Sequence, residues 1–243
     1  MNITNKRIVI TGGTSGIGYE MTKYLYPNNK IIIISKDACK LSALSKEFKG
    51  IATYQADLSK NEDVETAAGQ ICNHFETIDI LINNAGIQYT PTFINNKFRY
   101  ETISHEINVN FTSVCTLTYL LLPALLHQQK AVILNINSGL ALAPKTTSAV
   151  YCATKGALNI FSQSLRHQLE ETNISVQQAF LGLVDTSMTK GRGKNKMSAE
   201  AAAKIIIDGI ERNVLELDIG KVKLLRMLLR LMPSIGRKIM KKY

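Results

Sequence analysis

Short apolar runs alternate along the chain with longer stretches in which apolar residues recur at helical spacing. The runs with the length of buried strands are residues 8–10, 31–34, 51–54, 78–82, 132–135 and 176–180. The stretches with helical spacing are residues 18–26, 41–48, 62–75, 101–126 and 148–170. Strands that alternate with helices in this way predict an α/β fold, a doubly wound parallel sheet with helices on both faces.

The length and composition agree with one domain of this type. Doubly wound folds often reach 243 residues as one domain, and 45% hydrophobic with 20% charged residues is ordinary for a globular chain. The sequence shows no Pro-rich or Gly-rich linker and no internal repeat. We therefore predict a single domain over residues 1–220, followed by a basic tail over residues 221–243 that packs on it or extends from it.

The tail carries most of the positive charge. The formal net charge is +10, and residues 221–243 hold eight Lys or Arg and no acidic residue, so the rest of the chain is close to +2. Because the body lacks a large cationic field, we expect no nucleic-acid partner. In a helical projection of residues 222–232, Lys223, Arg226 and Arg230 form one stripe among apolar residues, which predicts an amphipathic helix ended by the following proline. Its apolar arc covers either the protein's own core or a subunit interface, or it lies on an anionic membrane surface.

A glycine-rich segment directly follows the first predicted strand. It reads Thr11-Gly-Gly-Thr-Ser-Gly-Ile-Gly18 and opens a helical stretch. Gly12 permits a tight turn, Gly16 lets the backbone approach a pyrophosphate, and Gly18 lets the helix pack on the strand. The N–H groups at the start of that helix can bind phosphate oxygens, so the segment predicts a dinucleotide-binding loop. The cofactor contacts predicted in it are Gly12, Thr14, Ser15, Gly16, Ile17 and Gly18.

Tyr151 and Lys155 stand four residues apart, and therefore on one face of a predicted helix. A tyrosine titrates near about 10, so acid and base work at neutral pH needs a nearby cation that favours the phenolate. Lys155 is that cation. The pair alone also fits a solvated helix face, so its interpretation depends on other motifs.

These motifs together resemble the short-chain dehydrogenase/reductase family. The glycines follow the spacing Gly-x-x-x-Gly-x-Gly, Ser138 precedes Tyr151 by thirteen residues, and Asn110 ends the segment Ile107-Asn-Val-Asn110. The resemblance implies a Rossmann-type fold and the catalytic residues Asn110, Ser138, Tyr151 and Lys155. It also implies that Ser138 binds the substrate carbonyl or hydroxyl, and that Asn110 holds a water in a proton relay to the lysine.

Other segments fit the same family in the same order. Asp57-Leu58 follows the third strand, where the family contacts adenine, and Asn84-Ala-Gly86 follows the fourth. After the sixth strand the family's Pro-Gly is replaced by Leu181-Gly182, which leaves the stiffness of that loop open. The further cofactor contacts that the resemblance implies are Asp57, Leu58, Asn84, Ala85, Gly86, Tyr151, Lys155, Gly182, Val184 and Thr186. Within the family, residues 84–88, 138–142, 150–155 and 165–169 are similar to those of bacterial oxidoreductases of the D-alanylation operon.

The residues after the second strand favour NADP over NAD. An acidic side chain there would bind both ribose hydroxyls and repel a 2′-phosphate. The strand is followed by Ser35-Lys36-Asp37, and aligning Ser35 with the acid of NAD users makes Lys36 the reader of a 2′-phosphate. NAD stays open, because Asp37 takes the acidic position if the alignment shifts by one residue, and Lys36 is then a solvated lysine.

The sequence therefore predicts an NAD(P)-dependent oxidoreductase. Tyr151 gives a proton to a carbonyl oxygen held with Ser138, or takes one from an alcohol, while the nicotinamide exchanges hydride with the carbon. Residues 187–198, rich in Gly, Lys and Arg, predict a mobile lid over a small-molecule substrate, and the lid cations face either an acidic substrate or solvent. The long helical stretches 101–126 and 148–170 predict a homodimer or homotetramer. A catalytically silent cofactor-binding regulator or scaffold is the alternative.

The cysteines and histidines predict neither a metal site nor a disulfide. Cys39, Cys72, Cys115 and Cys152 are scattered and are expected to be small buried residues, and the histidines show no metal-ligand spacing. The first apolar run begins too early to follow a signal peptide, and no uninterrupted apolar run reaches the ~20 residues that span a bilayer. We therefore expect a cytoplasmic protein, free or peripheral to the membrane.

Overall fold

A computed structural model describes residues 2–242 and shows a seven-stranded parallel sheet. The strands are β1 (Arg7–Thr11), β2 (Lys30–Ser35), β3 (Ala52–Gln55), β4 (Ile80–Asn83), β5 (Ala131–Ser138), β6 (Ile174–Leu181), β7 (Val184–Asp185), β8 (Met197–Ser198) and β9 (Glu216–Asp218). The main sheet has the order β3-β2-β1-β4-β5-β6-β9, and β7 pairs with β8 apart from it. Because the order reverses between β1 and β4, the sheet is doubly wound, which confirms the predicted Rossmann-type fold class.

Helices cover both faces of this sheet. They are α1 (Gly16–Leu25), α2 (Ala38–Glu47), α3 (Asn61–His74), α4 (Glu101–Ile107), α5 (Ser113–Leu126), α6 (Ala149–Gln168), α7 (Ala199–Glu211), α8 (Val222–Leu231) and α9 (Pro233–Lys241). A π-helical turn, Asn108–Thr112, joins α4 to α5. Short 3-10 turns lie at Tyr26–Asn28, Gly139–Ala141 and Ser187–Thr189.

The apolar strands contribute side chains to two separate hydrophobic cores, one on each face of the sheet. In β1, Ile8 and Ile10 belong to the core under α1 and α7, whereas Val9 lies in the core under α3 and α5. Successive strand residues point to opposite faces, so a strand covered on both faces must be apolar throughout. The continuous apolar runs in the sequence follow from this arrangement.

The tail and the long helix follow the predicted elements, with one added feature each. The predicted tail helix, α8, ends at Leu231, before Pro233 as expected, and Pro233 is the first residue of a further helix, α9. Proline lacks the N–H that a first helical position leaves unpaired, so it begins a helix as readily as it ends one. The stretch 101–126 forms the long helix that was predicted, but the π-helical turn interrupts its regular hydrogen bonding.

One helix, Glu101–Leu126, is long and apolar enough to cross a membrane by length and average composition, although polar residues interrupt its apolar sequence well short of the ~20 residues that span a bilayer. Half of its most apolar window is buried inside the protein, where α5 packs on α3. Its buried Glu106 and Asn110 are polar. These features describe a core helix of the fold.

The cysteines are less buried than expected. Only Cys152 is buried, Cys72 and Cys115 are half-buried, and Cys39 is exposed. Cys39 lies in the first turn of α2, whose inward face is formed by Leu41 and Leu44. A surface helix buries one stripe, so the expectation of four buried cysteines is wrong at Cys39.

Candidate functional site

A cavity of about 740 Å³ opens at the carboxyl ends of the central strands. The glycine-rich loop after β1 lines one part of it, and Tyr151 and Lys155 of α6 line another. This is the crevice where the strand order reverses, the usual ligand site of a doubly wound sheet. Most of the residues proposed from the sequence meet here. Those that line the cavity are Gly12, Thr14, Ser15, Gly16, Ile17, Lys36, Asp57, Leu58, Asn84, Ala85, Gly86, Ser138, Tyr151, Lys155, Gly182, Val184 and Thr186.

The glycine loop adopts a conformation that only glycine tolerates well. Gly12 and Gly16 have φ angles of +67° and +55°, in the left-handed region. A Cβ on Gly16 would lie 3.1 Å from the Thr186 side chain, and one on Gly18 would lie 2.3 Å from the Gly12 carbonyl oxygen. Gly18 does not line the cavity, but its missing side chain lets α1 pack closely against the backbone of the loop at Gly12.

The start of α1 offers hydrogen-bond donors to an anion. Its N-cap residue, Ser15, makes no side-chain capping bond, so the first N–H groups of the ten-residue helix remain available. Beside it, the hydroxyls of Thr14 and Ser35 lie 3.2 Å apart and join the loop to the end of β2. A glycine cradle against a helix N-terminus fits the diphosphate of a dinucleotide.

The residues after β2 divide between the cavity and the next helix. Lys36 is exposed at the cavity wall, where its charge helps to lower the pKa of Asp57. Asp37 caps α2, because its carboxylate accepts a hydrogen bond of 3.0 Å from the Lys40 N–H. An ion pair of 3.7 Å to the Lys40 ammonium holds it in the same place. Asp57 is itself bound by Ser59, whose N–H and hydroxyl both donate to the carboxylate.

Thr11 fixes the loop after β4, a role that the sequence analysis missed. Its hydroxyl accepts hydrogen bonds of 3.0 Å from the N–H groups of both Asn84 and Ala85. In return the Asn84 amide donates to the Thr11 carbonyl at 2.9 Å. The position of Thr11, as the last residue of β1, was the available signal. These contacts lock two cavity walls together.

Asn110 lies in the π-helical turn and is fully buried. Its side-chain oxygen, Oδ1, accepts a hydrogen bond of 2.8 Å from the Ile87 N–H, and its side-chain NH₂ group donates to the Ile87 carbonyl at 2.9 Å. A Cβ on neighbouring Gly86 would lie 3.3 Å from Asn110 Oδ1 and 3.9 Å from Lys155 Nζ. Asn110 therefore lies behind the cavity wall, and the backbone of Gly86 lies near both Asn110 and Lys155. Single π-helical turns often occur at functional sites.

Lys155 and Tyr151 are held close together by burial and by the end of β5. The Lys155 ammonium donates to the Ile136 carbonyl at 2.8 Å and lies 5.9 Å from the centre of the Tyr151 ring. Burial lowers the pKa of Lys155 to about 8. Burial also raises the pKa of Tyr151 to about 12, and the Ser138 hydroxyl opposes this rise. The phenol is thus protonated at neutral pH.

Ser138 ends β5 at the cavity wall. Its side chain accepts a hydrogen bond of 3.2 Å from the Leu140 N–H and so caps the short 3-10 turn that follows. Its own N–H donates to the Asn137 side chain at 2.8 Å. The hydroxyl can therefore present its proton to a ligand in the cavity.

The predicted lid, residues 187–198, is anchored at both ends. It begins with a capping box on Thr186 and ends in β8, which pairs with β7. Lys196 forms an ion pair of 2.7 Å with Asp185. The charge of this lid cation is therefore neutralised within the protein and is not directed at a substrate or left in solvent. Arg192 instead donates to the Gln88 side chain at 2.5 Å, and Gln88 lines the cavity. The β7–β8 pairing holds the segment after Leu181-Gly182, which lacks the family's proline.

Two ionisable side chains near the site carried no sequence signal. Glu106 of α4 is buried, and burial raises the pKa of its carboxyl to about 7. It accepts a hydrogen bond of 2.9 Å from the Tyr89 N–H. Lys145 lines the cavity, and burial together with the charge of Arg192 lowers its pKa. Within residues 2–242, no cluster of three or more His, Cys, Asp or Glu could hold a metal ion.

Comparison with known proteins agrees with this geometry. A family model described as short chain dehydrogenase matches residues 6–197. The chain is 33% identical over 233 residues to the uncharacterized oxidoreductase DltE of Bacillus subtilis, covering 93% of this chain and 92% of that protein. A short-chain dehydrogenase from Burkholderia cenocepacia, solved in complex with NADP, has a TM-score of 0.88 at 21% identity and 99% coverage of each chain. One from Burkholderia phymatum, in complex with NAD, has a TM-score of 0.84 at 18% identity, covering 95% of this chain and 96% of that one. This chain belongs to the short-chain dehydrogenase family of oxidoreductases, and within it the chain is similar to DltE.

Proposed function

We propose that this protein is an NAD(P)-dependent reductase of a small carbonyl compound, or a dehydrogenase of the corresponding alcohol. One observation carries the proposal: Ser138, Tyr151 and Lys155 line the same cavity as a glycine loop shaped for a diphosphate. Leu140, Leu183 and Val222 add apolar wall to that cavity. A substrate whose carbonyl is attached to an apolar chain fits such a lining.

In this proposal Tyr151 is the residue that transfers the proton. A carbonyl oxygen placed between Ser138 and Tyr151 receives a hydrogen bond from each hydroxyl, and Tyr151 passes its proton to that oxygen during reduction. A nicotinamide held at this site would supply the hydride. Lys155 places a positive charge beside the phenol, which stabilises the phenolate left after proton transfer. Asn110 acts on the lysine indirectly, by fixing the backbone around Gly86 that separates the two side chains.

The favoured cofactor is NADP. Lys36 lines the cavity at the end of β2 and is free to meet a 2′-phosphate. Asp37, the residue that would favour NAD, is engaged as the cap of α2. The position of Lys36 and the engagement of Asp37 both support a site that accepts the 2′-phosphate.

We further propose a cytoplasmic homodimer or homotetramer. Tyr119 of α5 and Ile160 of α6 are exposed apolar side chains on the long helices expected to meet another subunit. A second copy would remove both from water. Sedimentation velocity of the purified chain tests this assembly.

Fluorescence titration with NADPH and NADH tests the proposed preference for NADP. The intact chain is expected to bind NADPH more tightly than NADH, and Lys36→Ala should weaken NADPH alone by roughly tenfold or more, the loss of one charge-assisted contact. Asp37→Ala is the matched control and should leave the preference unchanged. Binding of neither nucleotide would overturn the oxidoreductase proposal. Binding without turnover of any carbonyl or alcohol would favour a cofactor-dependent scaffold instead.

A further inference from the structure

The helices of the tail are firmly attached to the body through one face. Val222 of α8 is buried, and the Arg226 guanidinium makes hydrogen bonds of 2.6 and 2.9 Å to the Asp218 carboxylate. The same guanidinium stacks 4.7 Å from the centre of the Phe180 ring. In α9, Met240 is buried and the Lys241 carbonyl accepts a hydrogen bond from the Thr146 hydroxyl. The tail is therefore an ordered part of the surface, with a defined outward side.

The outward side of α8 is apolar. Leu224, Met227 and Leu231 are spaced by three and four residues, so they share one helix face, and they are 61%, 54% and 68% exposed. In α9, Ile235 and Ile239 repeat this spacing and are about half exposed. If the tail only covered the protein's own core, these side chains would point inward. We call the exposed set, Leu224, Met227, Leu231, Met232, Ile235 and Ile239, the tail patch.

Exposed cations accompany the tail patch on both helices. They are Lys221, Lys223, Arg230, Arg237, Lys238, Lys241 and Lys242. The segment that carries them contains no acidic residue. Apolar side chains that project from a surface beside many cations are the pattern of helices that lie in the interface of an anionic membrane.

A second copy of the chain fits this surface less well. A symmetric dimer would place the same patch of each copy against the other, so the two sets of cations would meet without any acidic partner from the tail. A protein partner would need both an apolar groove and an acidic rim matched to this surface. Lipid satisfies both needs at once, since acyl chains take the apolar side chains and anionic headgroups take the cations.

The tail patch also lies next to the proposed active site. Val222 and Leu225 of α8 and Met240 of α9 form part of the cavity wall, and exposed Lys221 stands on its rim. We propose that α8 and α9 dock the protein on an anionic lipid bilayer, with the cavity rim at the lipid surface. This inference goes beyond the proposed function and does not depend on turnover.

Vesicle co-sedimentation of the full chain tests the docking. The probes are phosphatidylcholine vesicles with and without roughly one third phosphatidylglycerol, at low and high salt. The wild-type chain should pellet with the anionic vesicles, at least tenfold more strongly than with the neutral ones, and high salt should weaken the binding. The variant Leu224→Ser/Met227→Ser/Leu231→Ser should lose at least tenfold in vesicle affinity.

A matched variant and two further measurements keep the test decisive. Tyr24→Ser/Ile205→Ser/Leu215→Ser removes exposed apolar side chains outside the tail and should bind vesicles like the wild type. A cooperative urea-unfolding transition shows that each variant is folded, and sedimentation velocity reports its oligomeric state. Equal vesicle binding by both variants, or none by the wild type, would overturn the proposal. A change from oligomer to monomer in the α8 variant alone would assign the tail patch to a second copy instead.

Discussion

The side chain of Asn110 and the backbone of Ile87 exchange two hydrogen bonds, at 2.8 and 2.9 Å. An asparagine amide has one acceptor and one donor group, so it can pair with a peptide unit as another strand would. This pairing ties the π-helical turn to the loop after β4. The same contact fixes the backbone beside Gly86, a residue whose added Cβ would lie near both Asn110 Oδ1 and Lys155 Nζ.

Replacing Asn110 with alanine should destabilise the fold and also slow turnover. The change leaves two backbone groups of Ile87 without partners, and each unsatisfied group costs roughly 1–3 kcal/mol, so a loss of about 2–6 kcal/mol in the free energy of unfolding is expected. Urea unfolding measures it. Asn108→Ala is the control from the same turn, since Asn108 makes a single bond of 3.2 Å to the Ser59 carbonyl. Equal losses in the two variants would show that the Asn110 pairing has no special role.

The fold could be predicted from the sequence because its signals are local. The apolar runs and helical periods place the strands up to β6, and the glycines after β1 mark the loop through their steric freedom. Tyr151 and Lys155 share a helix face by spacing alone. The strand β9 lacked such a signal, since its residues Glu216–Asp218 form a short, half-buried edge.

The contacts within the site were harder to predict from the sequence. The π-helical turn depends on packing around Asn110, and a period of 3.6 residues gives no sign of it. Glu106 occupies a helical position that looks solvent-facing by charge, yet tertiary packing buries it. The role of Asp37 became visible only with the start of α2 at Ala38, three residues before the predicted stretch 41–48, since an aspartate directly before a helix is a preferred N-cap.

Tyr151→Phe should separate cofactor binding from catalysis. The ring remains, so NADPH affinity should change little, whereas turnover should fall by roughly 10²–10⁴-fold, the usual contribution of a general acid. Lys155→Met should lower both, because the ammonium lines the cavity beside the cofactor loop. NADPH fluorescence and steady-state rates report the two quantities. Unchanged turnover in the phenylalanine variant would rule out Tyr151 as the proton donor.

Gly16→Ala should weaken cofactor binding through a direct steric conflict. The new Cβ would lie 3.1 Å from the Thr186 side chain, and the φ of +55° costs an L-residue roughly 1–2 kcal/mol. Gly50→Ala is matched for backbone strain, since its φ is +86° and nothing lies within 4 Å of the added atom. Both variants should lose stability in urea, Gly16→Ala more because of its contact with Thr186, but only Gly16→Ala should lose NADPH affinity. Equal NADPH affinity in the two variants would contradict the proposed site.

Glu106 gives the protein a pH dependence that is independent of turnover. Its pKa in the folded chain is about 7, against an ordinary value of 4.5, because burial disfavours the charged carboxylate. The folded state therefore holds this proton more tightly than the unfolded state does. The resulting stability is fully present below pH 4.5 and is lost as the pH rises towards 7.

Glu106→Gln should remove this part of the pH dependence. Glutamine can still accept the hydrogen bond from the Tyr89 N–H but carries no charge at any pH. At pH 8 the variant should be more stable than the wild type by on the order of 3 kcal/mol, the equivalent of the pKa shift, and near pH 4 the two should converge. Urea unfolding across this range measures the difference. Glu101→Gln, on the exposed first turn of the same helix, should leave the pH profile unchanged. A constant stability difference between Glu106→Gln and wild type at all pH values would mean that the carboxyl of Glu106 has the same pKa in the folded and unfolded chain.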